Sequence, residues 1–488
     1  MSRSAGYIDD LAQRVEAATM PRPGEGLARG QLKFLRTVAL SVGIQGPVAG
    51  VIVGPAILAS IVGGSGALAY LLGLVAMAFV VYAFVIFSRS FNSAGSVYAF
   101  NGAALGARYG FVSAWILLLV YVSFAGAVYA STADIAQTLL ASLGIHLWWV
   151  WIAAAGFALT MLFAHRSIRL STMVIFACEG IAVALLTIVG VVILAKGGYH
   201  HHALSAAPFK THGIPLGILG LGVVNAFGAF SGFEGAATLG EESRRSRRTI
   251  PAAIAWSLVG ASAVYIVFTW IADNAYPSAA ALAAAPAPFV HLADVYVGGA
   301  MGLAVNAAGV ISAFGAQLAC INAANRILYA MGRDLGAHPG SRLAFVTRTH
   351  RRHRSPSGAL ALTGVTSAAA LGAFSFESTA VRALTIVVEF GAYLIIVAYL
   401  MTVIAAIAWV WRHQRKWSEL AVLGIGVAVL VYVLYDTFVP FPAAPFGWIL
   451  LAAAGAAMAG AAISALPGVR GRLAASTLLI AVRAPARS

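Results

Sequence analysis

Among the acidic side chains inside the long apolar runs of this chain are three glutamates, Glu179, Glu234 and Glu389. An ionisable side chain at membrane depth is costly and is kept where it binds, carries a proton or pairs with another helix. Glu234 has the strongest setting. It is the one charge in Ala226–Ala237, AFGAFSGFEGAA, where Gly228, Gly232 and Gly235 are interleaved with Phe227, Phe230 and Phe233. Glycine weakens a helix, and irregular backbone at that depth is tolerated only where it lines a cavity. The stretch reads as a broken transmembrane helix at a substrate site. Glu234 then either carries a proton or holds the break by a structural hydrogen bond. For Glu179 and Glu389, pairing with Tyr, Asn or backbone groups of another helix is an equally good account.

A second interrupted stretch is Gly43–Gly50, GIQGPVAG. Pro47 lacks a backbone donor and clashes with the preceding turn, and Gly43, Gly46 and Gly50 flank it. Broken helices expose amides at one half-helix N-terminus and carbonyls at the other half-helix C-terminus. The first suits a carboxylate and the second an ammonium. Such a site holds a zwitterion with few charged side chains, which fits an amino acid better than a bare polyamine. A third polar feature is a stripe: Asn322, Asn325, Arg326 and Tyr329 fall at i, i+3, i+4 and i+7, one helical face, and Arg333 extends it. It reads either as the wall of an inner water-filled vestibule or as a network inside the bundle with a snorkelling arginine.

Positioning these groups requires a polytopic membrane protein. The chain is 61% apolar and 10% charged, which excludes an ordinary soluble domain. Apolar runs recur from residue 37 to residue 466, each able to supply the roughly 20 residues of a span, and the total is about 12 helices. Their expected bounds are Thr37–Val62, Ala67–Ser88, Phe111–Leu139, His146–Ala164, Leu170–Ala195, Ile214–Leu239, Ile250–Ala272, Gly299–Met331, Ser357–Phe374, Val381–Trp411, Leu420–Tyr435 and Phe446–Leu466. A short helix is expected at Pro288–Tyr296. Residues 1–36 form a polar arm, with Tyr7–Ala18 either a short amphipathic helix or part of a tail. No apolar h-region lies there, so no cleaved signal peptide is expected.

The net charge of +15 does not point to nucleic acid. Of the 31 Lys and Arg residues, all but Lys196, Lys210 and Arg382 fall in alternate loops, at the inner end of the eighth span (Arg326) or in the termini. That is the positive-inside pattern of the plasma membrane, with both termini cytoplasmic. On this reading GEESRR, Gly240–Arg245, is explained by topology. Cys178 and Cys320 lie inside apolar runs as packing residues. His200, His201 and His202 sit in an outer loop, where three adjacent histidines cannot all face one ion, so no metal and no cofactor is expected. An embedded enzyme would need a catalytic cluster, yet the chain has neither H-E-x-x-H nor G-x-S-x-G. A non-transporting receptor would bind ligand without flux; oligomeric state is not encoded in any feature.

The two interrupted spans each open a set of five, and an odd number of spans separates them, so their directions are reversed. Paired interruptions of that kind mark an inverted-repeat transporter and its site. In its motifs the chain resembles the amino acid–polyamine–organocation permeases. SVGIQGPVAGVIVGPAILA is similar to that family's broken first helix, and SRSFNSAGSVYAFNGAALGARYGFVSAW to its loop between helices 2 and 3. AFGAFSGFEGAATLGEESRRSRRTIPAAI is similar to its helix 6 signature, and NAANRILYAMGRD to the inner end of its helix 8. The resemblance implies an all-α integral membrane protein of LeuT type. Residues 37–195 and 214–411 would be five-helix inverted repeats joined by an outer loop at 196–213. Two more helices would lie within 412–466, and a basic tail at 467–488.

It also implies roles. Gln45, Gly46, Pro47, Val48, Ala49 and Gly50 would meet the substrate carboxylate. Phe227, Gly228, Ala229, Phe230, Ser231 and Gly232 would meet its ammonium. Gly228 stands where certain antiporters place a gating aromatic, so the gate is Phe227 or Phe230. Glu234 matches the family carboxylate linked to coupling, with Glu179 second. Sodium-coupled relatives use hydroxyls of helix 8, but residues 313–332 hold no Ser or Thr, so oxygen ligands for that hard cation are short. The helix 5 lysine of some proton-coupled relatives is also missing. The expectation is a permease for an amino acid or related amine, coupled to protons. An exchanger or a polyamine transporter is the alternative.

Overall fold

The computed structural model describes residues 26–91, 93–199, 205–335 and 344–473. The Tyr7–Ala18 helix and the three adjacent histidines lie outside the described residues. Among those described, nine helices are long and apolar enough to cross a membrane. The first stretch, Phe34–Ser90, turns at Gly63–Ser65 and so holds two crossings. The shorter apolar helices Trp149–His165 and Ser357–Gly372 bring the set to the expected total of about 12.

In chain order the first span is α1 (Phe34–Gln45) and α2 (Pro47–Val62), followed by α3 (Gly66–Ser90). Next come α4 (Val97–Leu105), α5 (Ala107–Ser142), α6 (Trp149–His165) and α7 (Ile168–Ala195). The sixth span is α8 (Leu216–Ala229) and a 3-10 segment (Phe233–Leu239). It leads to α9 (Ser246–Ala275), α10 (Ala279–Ala283), α11 (Pro288–Tyr296), α12 (Gly299–Asp334), α13 (Ser357–Gly372) and α14 (Ala380–His413). The last two spans are α15 (Trp417–Phe438) and α16 (Phe446–Ala465).

Long runs of Ala, Leu, Val and Ile form helices because only helices satisfy every backbone group without water. α5 and α12 are the most deeply buried spans, and α15 and α16 the least. α5 packs against both α12 and α14. At 36 residues each, α5 and α12 measure roughly 54 Å. That exceeds the hydrocarbon thickness of about 30 Å, so their ends extend past it. Large apolar side chains such as Trp151, Trp256, Trp448 and Met458 point outward, which suits a lipid surround.

Four expectations change. The polar arm ends at Lys33, not residue 36, because α1 already begins at Phe34. The end of the arm is docked: Leu27, Ala28 and Leu32 are buried, Leu32 N donates to the Glu242 carbonyl at 2.9 Å, and Arg244 N donates to the Leu32 carbonyl at 2.9 Å. The loop after the second span contains α4, whose last carbonyls are met by Gly106 N and by Arg412 Nη1 on Ala104 O at 2.7 Å. Arg412 belongs to α14, which runs on to His413, so the boundary at 411 falls inside a helix. Residues 467–473 are also helical rather than plain tail.

Candidate functional site

The break in the first span is one residue wide. Gly46 adopts φ 48°, ψ 51°, a left-handed conformation open to glycine. Its amide closes α1 on the carbonyls of Val42 and Gly43, at 3.0 and 3.1 Å. Pro47 then starts α2, where its missing N–H costs nothing. Pro47, Val48, Ala49 and Gly50 are thus the first turn of α2 rather than part of an unwound stretch, because Gly46 alone absorbs the change of direction. Ala49 N donates to Ser312 Oγ of α12 at 3.2 Å, and Gly50 N to Gly46 O at 3.0 Å. Val48 N has no partner among the described residues, so it is the open amide at this half-helix N-terminus.

The break in the sixth span is wider. α8 carries Phe227, Gly228 and Ala229 to its end, and Phe230, Ser231 and Gly232 follow before the 3-10 segment. Gly232 adopts φ 111°, and a β-carbon there would run into Ile44 of α1. Gly228 has nothing within 4 Å of where its β-carbon would stand. The Phe230 ring is buried against Tyr70 of α3 and Tyr265 of α9, with centroids 5.8 Å away in both cases. Phe227 is equally buried, with its backbone against Gly73 of α3.

The breaks lie side by side and are stitched together. Gln45 Nε2 donates to Phe230 O at 3.0 Å. Ser41 Oγ donates to Phe233 O and accepts from Ala236 N, both at 2.7 Å. Tyr265 Oη donates to Gln45 O at 3.2 Å, which caps the last carbonyl of α1.

Each break has a buried carboxylate. Glu234 accepts from Tyr121 of α5 at 2.8 Å, from Tyr399 of α14 at 2.6 Å, and from Gly232 N at 3.1 Å. All three donors are neutral, and they tie the second break to two other spans. Glu179 of α7 stands beside the first break. Its Oε1 accepts from Ser312 Oγ at 2.8 Å, while its Oε2 has no hydrogen-bond partner among the described residues. Glu389 is half-buried on α14 and makes no hydrogen bond among the described residues.

The polar stripe lies farther along α12, at the arginine-rich end of the bundle. Asn322, Asn325, Arg326 and Tyr329 are all buried. Arg326 meets Glu242 with two contacts, Nε–Oε2 at 2.6 Å and Nη2–Oε1 at 3.2 Å. Its Nη1 donates to Asn322 O, Asn322 Oδ1 and Asn325 Oδ1. Arg333 pairs with Glu241 at 2.9 Å and lies over the Tyr329 ring. The acidic pair of GEESRR is therefore more than a topology signal: it anchors the chain after the second break to α12. A water-filled vestibule along the stripe requires this network to open.

The tyrosines around the breaks, Tyr70, Tyr121, Tyr265 and Tyr399, are not among the site residues expected from the sequence. Their only trace in the sequence is a tyrosine in the middle of an apolar run, where a hydroxyl needs a partner. Among the described residues no group of three or more His, Cys, Asp or Glu side chains is placed to hold a metal ion.

Comparison with known proteins accords with this geometry. A family model described as "Amino acid permease" matches residues 32–463. The branched-chain amino acid permease BcaP of Bacillus subtilis is 26% identical over 315 residues, 62% of this chain and 66% of that protein. The low-affinity putrescine importer PlaP of Escherichia coli is 26% identical over 354 residues, 71% of this chain and 74% of that one. The methylthioribose transporter of Bacillus subtilis is 25% identical over 347 residues, 67% of this chain and 70% of its own length.

Proposed function

Because the chain belongs to the amino acid permease family, and is a multi-pass membrane transport protein rather than an enzyme, we propose that it is a secondary transporter of amino acids or related amine-containing compounds. It works by alternating access in the plasma membrane, with both termini cytoplasmic and protons as the coupling ion. The observation that carries this reading is the adjacency of the two breaks, joined by the hydrogen bond from Gln45 to Phe230.

On this reading the substrate carboxylate meets the start of α2, above all Val48 N. Its ammonium meets carbonyls at the end of α8, between Phe227 and Gly232. Phe230 is the gate, supported by its place among Tyr70 and Tyr265 at the junction of three spans. Glu234 is the coupling carboxylate. Adding a proton removes acceptor capacity from the one group that binds Tyr121, Tyr399 and Gly232 N together, so protonation bears directly on how the second break is held. Glu179 is a second candidate through Ser312. The Glu242–Arg326 network closes the cytoplasmic end and must part for inward release.

Uptake by reconstituted liposomes tests the proposal, with labelled amino acids, putrescine and small amines offered with and without an inward proton gradient. The expected result is accumulation of at least one compound, increased by the gradient. Failure to bind or move any compound of the panel would sink it. Uptake that is indifferent to the gradient but stimulated by internal substrate would replace proton symport with exchange.

A further inference from the structure

Gln45 is the last residue of α1, and the resemblance groups it with the carboxylate end of the substrate. Its side chain is turned the other way. Nε2 donates to Phe230 O at 3.0 Å, so the carboxamide lies at the C-terminal end of α8. There the half-helix presents the negative end of its dipole. The amides of α2 begin beyond Gly46: Pro47 has none, that of Val48 is open, and that of Ala49 is taken by Ser312.

The carboxamide cannot be reversed. With its oxygen toward Phe230 O, two acceptors would face each other without a proton. The oxygen is thus held at the free side of the group. Gln45 is 6% exposed, and its Oε1 has no hydrogen-bond partner among the described residues. The nearest aromatic hydroxyl, that of Tyr265, is committed to Gln45 O. A buried acceptor left unpaired between two helix breaks, beside the carbonyls of a half-helix C-terminus, awaits a donor from outside the chain.

We propose that Gln45 recognises the nitrogen end of the substrate, with Oε1 accepting a hydrogen bond from a protonated amine while Nε2 keeps the two breaks together. This rests on the transport reading above and assigns one side chain within it. The ligand class is a compound carrying an ammonium or another strong N–H donor.

The test uses the purified full-length protein in nanodiscs. Wild type is first offered amino acids, their deaminated acids, their decarboxylated amines, and putrescine, and the tightest amine-bearing ligand is kept as probe. Gln45→Met keeps the shape and removes both polar atoms. Gln45→Glu keeps an acceptor and removes the donor. The expected result is a loss of about tenfold or more for Gln45→Met, the scale of a hydrogen bond to a charged group. Gln45→Glu should retain binding of the probe, and in Gln45→Met the deaminated analogue should lose less than the probe. Equal affinity of Gln45→Met and wild type overturns the assignment. So does an equal loss in both variants, or an equal loss for the deaminated analogue, since the tie to Phe230 would then carry the effect. Wild type that melts cooperatively yet binds no amine of the panel would instead bring down the transport reading itself.

Discussion

The two breaks solve the same problem with different means. In the first span one glycine turns the chain, proline restarts the helix, and the capping groups are backbone amides and the Tyr265 hydroxyl. In the sixth span three residues separate α8 from a 3-10 segment, and side chains do the holding. Glu234 fastens the near end to α5 and α14, and Glu242 fastens the far end to α12. A narrow break closed by its own backbone has one stable arrangement. A wide break held by a few polar side chains has a second arrangement within reach, since weakening those bonds releases it. Under the proposed transport cycle the sixth span is expected to be the moving half of the site, and the first span the fixed half.

The largest expected effect lies at the far anchor. Breaking a buried ion pair by removing one partner costs about 3–5 kcal/mol, because the other charge stays buried. Glu242→Gln should therefore lower the melting temperature of the purified protein strongly, since Arg326 is 1% exposed. Replacing both partners, as in Glu242→Leu with Arg326→Met, should recover much of that loss while impairing transport. A single variant as stable as wild type would mean that the second break is not anchored from this side.

Next come the hinge glycines, compared directly. Gly46→Ala asks an alanine to adopt the left-handed region, at about 1–2 kcal/mol, with its β-carbon 3.4 Å from Ala316, an ordinary contact. Gly232→Ala faces a comparable backbone strain and drives its β-carbon into Ile44 as well. Melting temperature and uptake should both fall further for Gly232→Ala. Equal losses would erase the proposed difference between the two hinges.

At the near anchor, Glu234→Gln keeps the shape and removes the titration. The expected outcome is transport that no longer varies with pH, with substrate binding still measurable by isothermal titration. The lost acceptor capacity toward Tyr121, Tyr399 and Gly232 N should cost about 1–3 kcal/mol of stability. A pH profile like that of wild type would move proton coupling away from the second break.

Much of this was legible because its signals are local. Span limits follow apolar runs, and the short helix expected at Pro288–Tyr296 has those bounds in the structure. Both breaks were visible as glycine and proline clusters. Their widths were not: GIQGPVAG looks unwound throughout, yet Pro47 at the first position of a helix is compatible with it, so only Gly46 departs. What escaped were the partners. Glu234 meets tyrosines 113 and 165 residues away, and Arg326 meets Glu242 across 84 residues. Such pairs are set by how the spans pack, and a single chain carries no mark of which tyrosine will face which carboxylate. For that reason GEESRR gave up its charge pattern but not its contacts.

The smallest expected effect sharpens the contrast most. Ser312 is the single neutral link between the first break and Glu179: it accepts from Ala49 N and donates to Glu179 Oε1. Ser312→Ala removes two hydrogen bonds, at about 1 kcal/mol net for the one from the Ala49 amide, and frees that amide beside that of Val48. Two amides then stand open at the start of α2, so a substrate carboxylate should bind as well as before or up to several-fold tighter, which competition binding at fixed pH can resolve. If the first span is the fixed half, the shape of the pH profile should survive the substitution. If Ser312→Ala flattens that profile as Glu234→Gln does, the proton is handled at the first break through Glu179, and the assignment of fixed and moving halves must be exchanged.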